Sequence, residues 1–205
     1  MTNLSVFVND FAACIQSVDA QSPQATNIRS KLSFKPGIGP FSEAQTVKLV
    51  SKEMERFNPS RYSKRLQTGV AYPETPRQKC DLCLGIPDQW EIAFEVKMLR
   101  FLGDNGKLND NILMHILSPY PEHRSAITDC IKLASSSLGE SKAILIYGFD
   151  HEGWPLEPAI DAFETLASVR VQLGPRNTTR FENLIHPVHT RGAVFAWQIR
   201  RQNNG

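Results

Sequence analysis

The feature that most constrains the fold is an alternation from Glu91 to Met98, in which every second residue, beginning with Ile92, is strongly apolar. Side chains on a β-strand point to opposite faces with a period of two, so this pattern predicts a strand with one buried face. Glu95 and Lys97 project together from its other face. Upstream, Asp81 alternates with apolar neighbours, which are Cys80, Leu82 and Leu84. A hairpin of the two strands therefore places Asp81 beside Glu95 and Lys97.

This group of charged residues has a chemical interpretation. Two neighbouring carboxylates provide the hard oxygen ligands that suit Mg²⁺ or Mn²⁺. A lysine beside them can orient or deprotonate a water molecule and can balance the charge of a phosphate. The pattern Asp81…Glu95-Val96-Lys97 resembles the motif of the PD-(D/E)XK nuclease superfamily, which includes many restriction endonucleases. Cys80 stands where the name of the motif has proline, at a position that varies in the superfamily.

The resemblance implies a role for each residue of the motif. Asp81 and Glu95 would bind the metal ion, with Mg²⁺ as the cofactor and Mn²⁺ able to replace it. Val96 would add its backbone carbonyl oxygen as a ligand, and Lys97 would serve the attacking water. An alternative without chemistry is that an E-x-K strand face is solvated and carries a loose ion pair.

The chain before these strands predicts a helix over residues 43–57. Ser42 and Gln45 form a capping-box pattern at its start, and an apolar stripe follows at helical spacing. Glu43 falls in line with this stripe and is expected to face the sheet, where many PD-(D/E)XK enzymes carry a supporting glutamate. Alternatively, the helix dipole alone favours a glutamate in a first turn. Glu53 also borders the stripe and is the second candidate for the supporting role.

The remaining patterns complete an order of elements. We predict a short strand at 69–72, a helix from Glu122 to Leu138, a buried strand over 142–150, a helix over 158–169 and a strand over 192–200. In the helix from Glu122, Asp129 and Lys132 fall outside the apolar stripe. Helix, three strands, helix and strand make the αβββαβ core of the restriction endonuclease-like fold, so the resemblance covers roughly residues 40–150. The expected fold class is α/β (α+β), with a central mixed sheet flanked by helices.

The length of 205 residues and the 41% hydrophobic content favour a single nuclease-like domain over residues 1–205. Within it we expect an N-terminal helical extension (1–40) with a helix over 3–18, a catalytic core (41–150), and a C-terminal helix with strands (151–205). No apolar run approaches the roughly 20 residues that span a bilayer, and the N-terminus lacks the basic leader of a signal peptide. We therefore expect a cytoplasmic protein without a membrane partner.

The cysteines are expected to be free thiols in such a protein; they are Cys14, Cys80, Cys83 and Cys130. Cys80 and Cys83 form a C-x-x-C pair, and His186 and His189 form an H-x-x-H pair, so a zinc site is an alternative. Strand positions three apart point to opposite faces, which argues against that site.

A net charge of +2 and a pI of about 8.4 permit a nucleic-acid partner without requiring one. Candidate contacts to nucleic acid lie near the predicted site or in the arginine-rich C-terminal part, and are Lys107, Arg124, His189 and Arg191. The alternative is that these side chains are simply exposed to solvent.

The favoured function is a metal-dependent DNA endonuclease that hydrolyses phosphodiester bonds, such as a type II restriction, host-defence or repair nuclease. The size suits a homodimer whose twofold symmetry matches a palindromic DNA site. The alternative is a catalytically inactive module of the same fold that binds nucleic acid or protein. An unrelated α/β enzyme is disfavoured, because the sequence contains no Gly-rich phosphate loop and no G-x-S-x-G or H-E-x-x-H motif.

Overall fold

The computed structural model describes residues 3–27 and 30–202. Its helices are α1 (Leu4–Ala20), α2 (Glu43–Phe57), α3 (Pro59–Tyr62), α4 (Met114–Leu117), α5 (Ala126–Ser135) and α6 (Glu157–Ser168). Its strands are β1 (Leu66–Ala71), β2 (Lys79–Ile86), β3 (Gln89–Leu99), β4 (Ser141–Phe149), β5 (Gln172–Leu173), β6 (Asn177–Phe181) and β7 (Gly192–Arg200).

These strands form one mixed sheet. Its order is β1-β2-β3-β4-β7, and both β5 and β6 pair with the remaining edge of β7. Neighbours run antiparallel except β3 and β4, which are parallel. A parallel pair needs a crossover connection, and α4 and α5 lie on the path between β3 and β4. The predicted mixed α/β architecture, a central sheet flanked by helices, is confirmed at this level.

The two faces of the sheet carry two separate apolar cores. Helices α1 and α2 cover one face, where the ring of Phe7 stacks on Phe94 with 4.2 Å between ring centroids. Helices α4, α5 and α6 cover the other face, where Phe163 packs on Trp197 at 5.1 Å. Strand β4 is buried from Ala143 to Phe149, because it lies in the middle of the sheet beneath both layers.

Several predicted boundaries are confirmed. Helix α2 runs from Glu43 to Phe57, with Ser42 and Gln45 forming the capping box, and β7 covers residues 192–200. Helix α1 extends two residues beyond its predicted end. Neither α1 nor any other helix in the described part of the chain is long and apolar enough to cross a membrane.

The predicted helix from Glu122 to Leu138 is wrong at its start, and it ends three residues earlier than predicted, at Ser135. Pro121–His123 form a 3₁₀ turn, and Arg124 adopts a left-handed conformation with φ of 47°, which breaks the helical path. Helix α5 begins at Ala126, and the Ser125 side chain caps it by accepting a hydrogen bond from the backbone N–H of Thr128. Arg124 therefore lies in the connection before the helix.

The cysteines are free and buried among the described residues, as predicted. The predicted faces of β2 are wrong at one position, because Cys80 joins Cys83 and Tyr72 in the core beneath α5 rather than Leu82 and Leu84 in the opposite core. The His186 and His189 rings instead stack on each other at 4.8 Å, with His189 beside Asp104.

Candidate functional site

The site opens where β2 separates from β3. Leu82 and Phe94 form the last backbone pair recorded at this end of the two strands. One residue further, Oδ2 of Asp81 accepts a hydrogen bond of 2.8 Å from the backbone N–H of Val96. The carboxylate thus takes the place of a strand carbonyl, which keeps Asp81 beside Glu95 while the strands part.

Glu95 forms the floor of the site and is only 2% exposed. Its Oε1 accepts a hydrogen bond from the hydroxyl of Tyr72 and lies 2.8 Å from Nζ of Lys132. Burial raises the pKa of Glu95 well above its usual value, and the nearby carboxylates of Asp129 and Asp81 raise it further. The floor therefore brings several carboxyl groups together in a desolvated place, where ionisation of Glu95 is unfavourable.

Lys97 lies two residues further along the same face of β3. Its Nζ is 2.7 Å from Oδ2 of Asp129 and 3.9 Å from Oε1 of Glu43. Burial lowers the pKa of Lys97, but the carboxylates of Asp129 and Glu43 outweigh that effect and leave its pKa above the usual value. Lys97 is consequently an ammonium ion held between two acids.

Glu43 reaches the site from the first turn of α2. Its Oε2 accepts a hydrogen bond of 2.6 Å from the backbone N–H of Met98. Burial, opposed by Lys97 and reinforced by Asp81, raises the pKa of Glu43 to about 7. Glu53 instead contacts Ser17 and Arg56, so Glu43 is the helix carboxylate that supports Lys97.

Three further residues of the site were not among the predicted ones. Tyr72 follows β1, while Asp129 and Lys132 lie one turn apart on α5 and pair with each other at 3.0 Å. The predicted apolar stripe placed both α5 residues away from the sheet and placed Ile131 toward it. In the structure Ile131 is 38% exposed and Asp129 is 6% exposed. The available signal was the position of Asp129 four residues before Leu133, on the buried face.

Asp81, Glu95, Lys97, Asp129 and Lys132 line one cavity of about 540 Å³. Its carboxylates are Asp81, Glu95 and Asp129, and its cationic side chains are Arg77, Lys79, Lys97, Arg124 and Lys132. Arg77 and Lys79 come from the end of the β1–β2 connection and the start of β2, whereas Arg124 comes from the segment before α5. The acidic floor is therefore bordered by positive charge from separate parts of the chain.

The predicted nucleic-acid contacts fall in different places. Arg124 lines the cavity. Lys107 and Arg191 are exposed but do not belong to the cavity lining. His189 is fully buried against His186 and Phe149, so it offers no surface to a nucleic acid. The sequence pattern could not reveal this, because neither helical nor strand periodicity marks the buried side of the irregular segment around His189.

The donor set fits a hard divalent cation. Asp81 and Glu95 would supply carboxylate oxygens and Val96 a backbone carbonyl, and a bound cation would relieve the crowding that raises the pKa of Glu95. Among residues 3–27 and 30–202, no three or more His, Cys, Asp or Glu side chains form a group that could hold a metal ion. Two carboxylates and one carbonyl oxygen form a smaller protein donor set, of the kind with which Mg²⁺ keeps several water ligands.

Comparison with known proteins identifies no relative of this chain. No family model, no curated protein and no solved structure matches the chain.

Proposed function

We propose that this protein is a Mg²⁺-dependent endodeoxyribonuclease that hydrolyses phosphodiester bonds, built on a restriction endonuclease-like core. The observation that carries this proposal is the cavity in which Asp81, Glu95 and Lys97 converge beneath a basic border. A phosphodiester backbone is polyanionic, so cationic walls attract it, while an acidic floor suits the divalent cation that such hydrolysis uses.

Each residue has a defined task in this reaction. Asp81, Glu95 and the Val96 carbonyl would hold Mg²⁺. When bound, this ion polarises the phosphate and lowers the pKa of a coordinated water. Lys97, as an ammonium ion, orients the attacking water and balances charge that develops on the phosphate. Glu43 fixes the position of Lys97 from the α2 side.

The walls of the cavity bind the substrate on either side of the reacting phosphate. Arg77 and Lys79 provide charge on one side, and Arg124 provides it on another. Guanidinium groups suit this task because they donate hydrogen bonds to phosphate oxygens in a fixed geometry. We propose DNA as the substrate, a restriction, host-defence or repair role in the cytoplasm, and a homodimer that brings two such sites to the two strands of a duplex.

A second candidate function is a binding module of the same fold that does not cleave. One observation favours it: Lys97 and Glu95 are already neutralised by partners within the protein, Asp129 and Lys132. Such a module would bind nucleic acid through the basic border, and its affinity would fall steeply with salt.

A cleavage assay separates the two functions. Supercoiled plasmid and genomic DNA are incubated with the wild type in Mg²⁺, in Mn²⁺ and in EDTA, beside Lys97→Ala and the control Lys142→Ala. Lys142 contacts the carbonyl oxygen of Ser136 and does not line this cavity. We expect metal-dependent cutting that Lys97→Ala reduces by about 10²–10³-fold, since Lys97 stabilises charge at the reacting group. Folded wild type that cuts neither DNA with either metal would contradict the nuclease and favour the binding module.

A further inference from the structure

Lys132 occupies an unusual place at the floor of the cavity. Its ammonium group lies 2.8 Å from Oε1 of Glu95 and 3.0 Å from Oδ1 of Asp129. It also lies 5.0 Å from the ring centre of Tyr72, whose hydroxyl donates to the same Glu95 oxygen. The side chain of Lys132 is 29% exposed, so it can be reached from the cavity, whereas the side chain of Glu95 is only 2% exposed.

A divalent cation held by Glu95 would compete with Lys132 for the same carboxylate. Both place a positive charge against a carboxylate that burial and two neighbouring acids make costly to ionise. Two positive charges held beside the same carboxylate repel each other strongly in a desolvated site. A cation that binds to Glu95 therefore weakens the contact between Lys132 and Glu95.

Asp129 makes such an exchange feasible. One of its carboxylate oxygens holds Lys97 at 2.7 Å and the other holds Lys132 at 3.0 Å. When the ammonium group of Lys132 leaves Glu95, it therefore keeps Asp129, one helical turn away on α5, as a buried acidic partner. It does not become an unpaired charge.

We propose that Lys132 is the resident counter-ion of Glu95, that a divalent cation displaces it, and that Asp129 retains the released ammonium group where it meets the substrate phosphate. This inference rests on the proposed function, because it assigns a step to the same cavity. Lys132 is in this account a positioning residue that links cation binding to phosphate binding.

Calorimetric titration with MnCl₂ alone tests the proposal without any cleavage. The proteins are the wild type, Lys132→Met, Lys132→Arg and the control Lys142→Met. Removing the competing charge should tighten Mn²⁺ binding to Lys132→Met by about 10-fold, with water in the cavity screening part of the effect. Lys132→Arg keeps the charge and Lys142 does not line the cavity, so both variants should bind Mn²⁺ as the wild type does. With DNA as substrate, Lys132→Met should raise KM.

The outcomes separate this inference from the proposed function. Equal or weaker Mn²⁺ binding by folded Lys132→Met would overturn the exchange and leave the metal site standing. If neither the wild type nor Lys132→Met binds Mn²⁺, that result would overturn the exchange together with the metal-dependent function. If Lys132→Met does not fold, Lys132→Gln replaces it in the same titration, with the same expected direction.

Discussion

At the scale of single residues, the site depends on how four acids and two lysines share charge. Glu43 shows this most clearly, because it is ionisable, half-buried and tied to the backbone N–H of Met98. The raised pKa of about 7 means that between about pH 4.5 and 7 Glu43 is mostly protonated in the folded protein but mostly ionised in the unfolded chain. Ionised Glu43 therefore destabilises the fold above neutral pH.

Glu43→Gln should expose this cost. The amide keeps an oxygen that accepts the Met98 N–H but cannot ionise, so the variant should be more stable than the wild type at pH 8. Because the pKa of Glu43 is higher in the folded protein than in the unfolded chain, the lower free energy of unfolding of the wild type should approach that of Glu43→Gln as the pH falls through 7 toward 4.5. Urea unfolding of both proteins at pH 8 and pH 5 measures the difference. A difference that does not change with pH would show that Glu43 does not titrate in this range.

At the scale of elements, the segment before α2 sets the position of Glu43. Gly37 and Gly39 pass directly over the buried rings of His186 and His189, with no room for side chains. A Cβ built on Gly39 would lie 2.8 Å from Cβ of His189, and Arg100 donates a hydrogen bond of 2.5 Å to the Gly39 carbonyl oxygen. His189, which the sequence predicts to contact nucleic acid, thus instead supports the segment before α2 together with His186.

Gly39→Ala tests this support. The added methyl group must displace the His189 side chain or the backbone, which should destabilise the fold by about 1–3 kcal/mol and shift Glu43 away from Lys97. The control is Gly106→Asn, because a Cβ at Gly106 meets nothing within 4 Å and asparagine tolerates its φ of 74°. Urea unfolding reports the change. Equal stability of Gly39→Ala and the wild type would refute the proposed support.

The elements differ in how far the sequence predicts them, for physical reasons. Helix α2 was predicted in full because Ser42 and Gln45 mark its start and an apolar stripe follows. The start of α5 was missed because Arg124 adopts a left-handed conformation that its residue type does not favour. The inward position of Asp129 was missed because a stripe assigned from apolar residues alone excludes an acid, and the compensating charge of Lys97 comes from another element.

At the scale of the whole molecule, both faces of the sheet carry apolar cores, and the cavity opens on one of them. The face toward α1 and α2 is an apolar core, and the acidic floor lies toward α5, where β2 leaves β3. The alternation of β3 predicted that Glu95 and Lys97 share a face. It could not predict which helix would cover them, because the residues of α5 pack across the sheet from a separate part of the chain.

Cleavage of supercoiled plasmid by Glu95→Gln and Glu53→Gln, beside the wild type, tests the central claim most directly. Both glutamates are buried, but Glu53 lies with Ser17 and Arg56 outside the cavity. We predict Mg²⁺-dependent cutting by the wild type and by Glu53→Gln. Glu95→Gln should lose cutting by at least about 100-fold, since it removes charge from the metal-binding floor. Cutting by folded Glu95→Gln at the wild-type rate would contradict the assignment of this cavity as the active site.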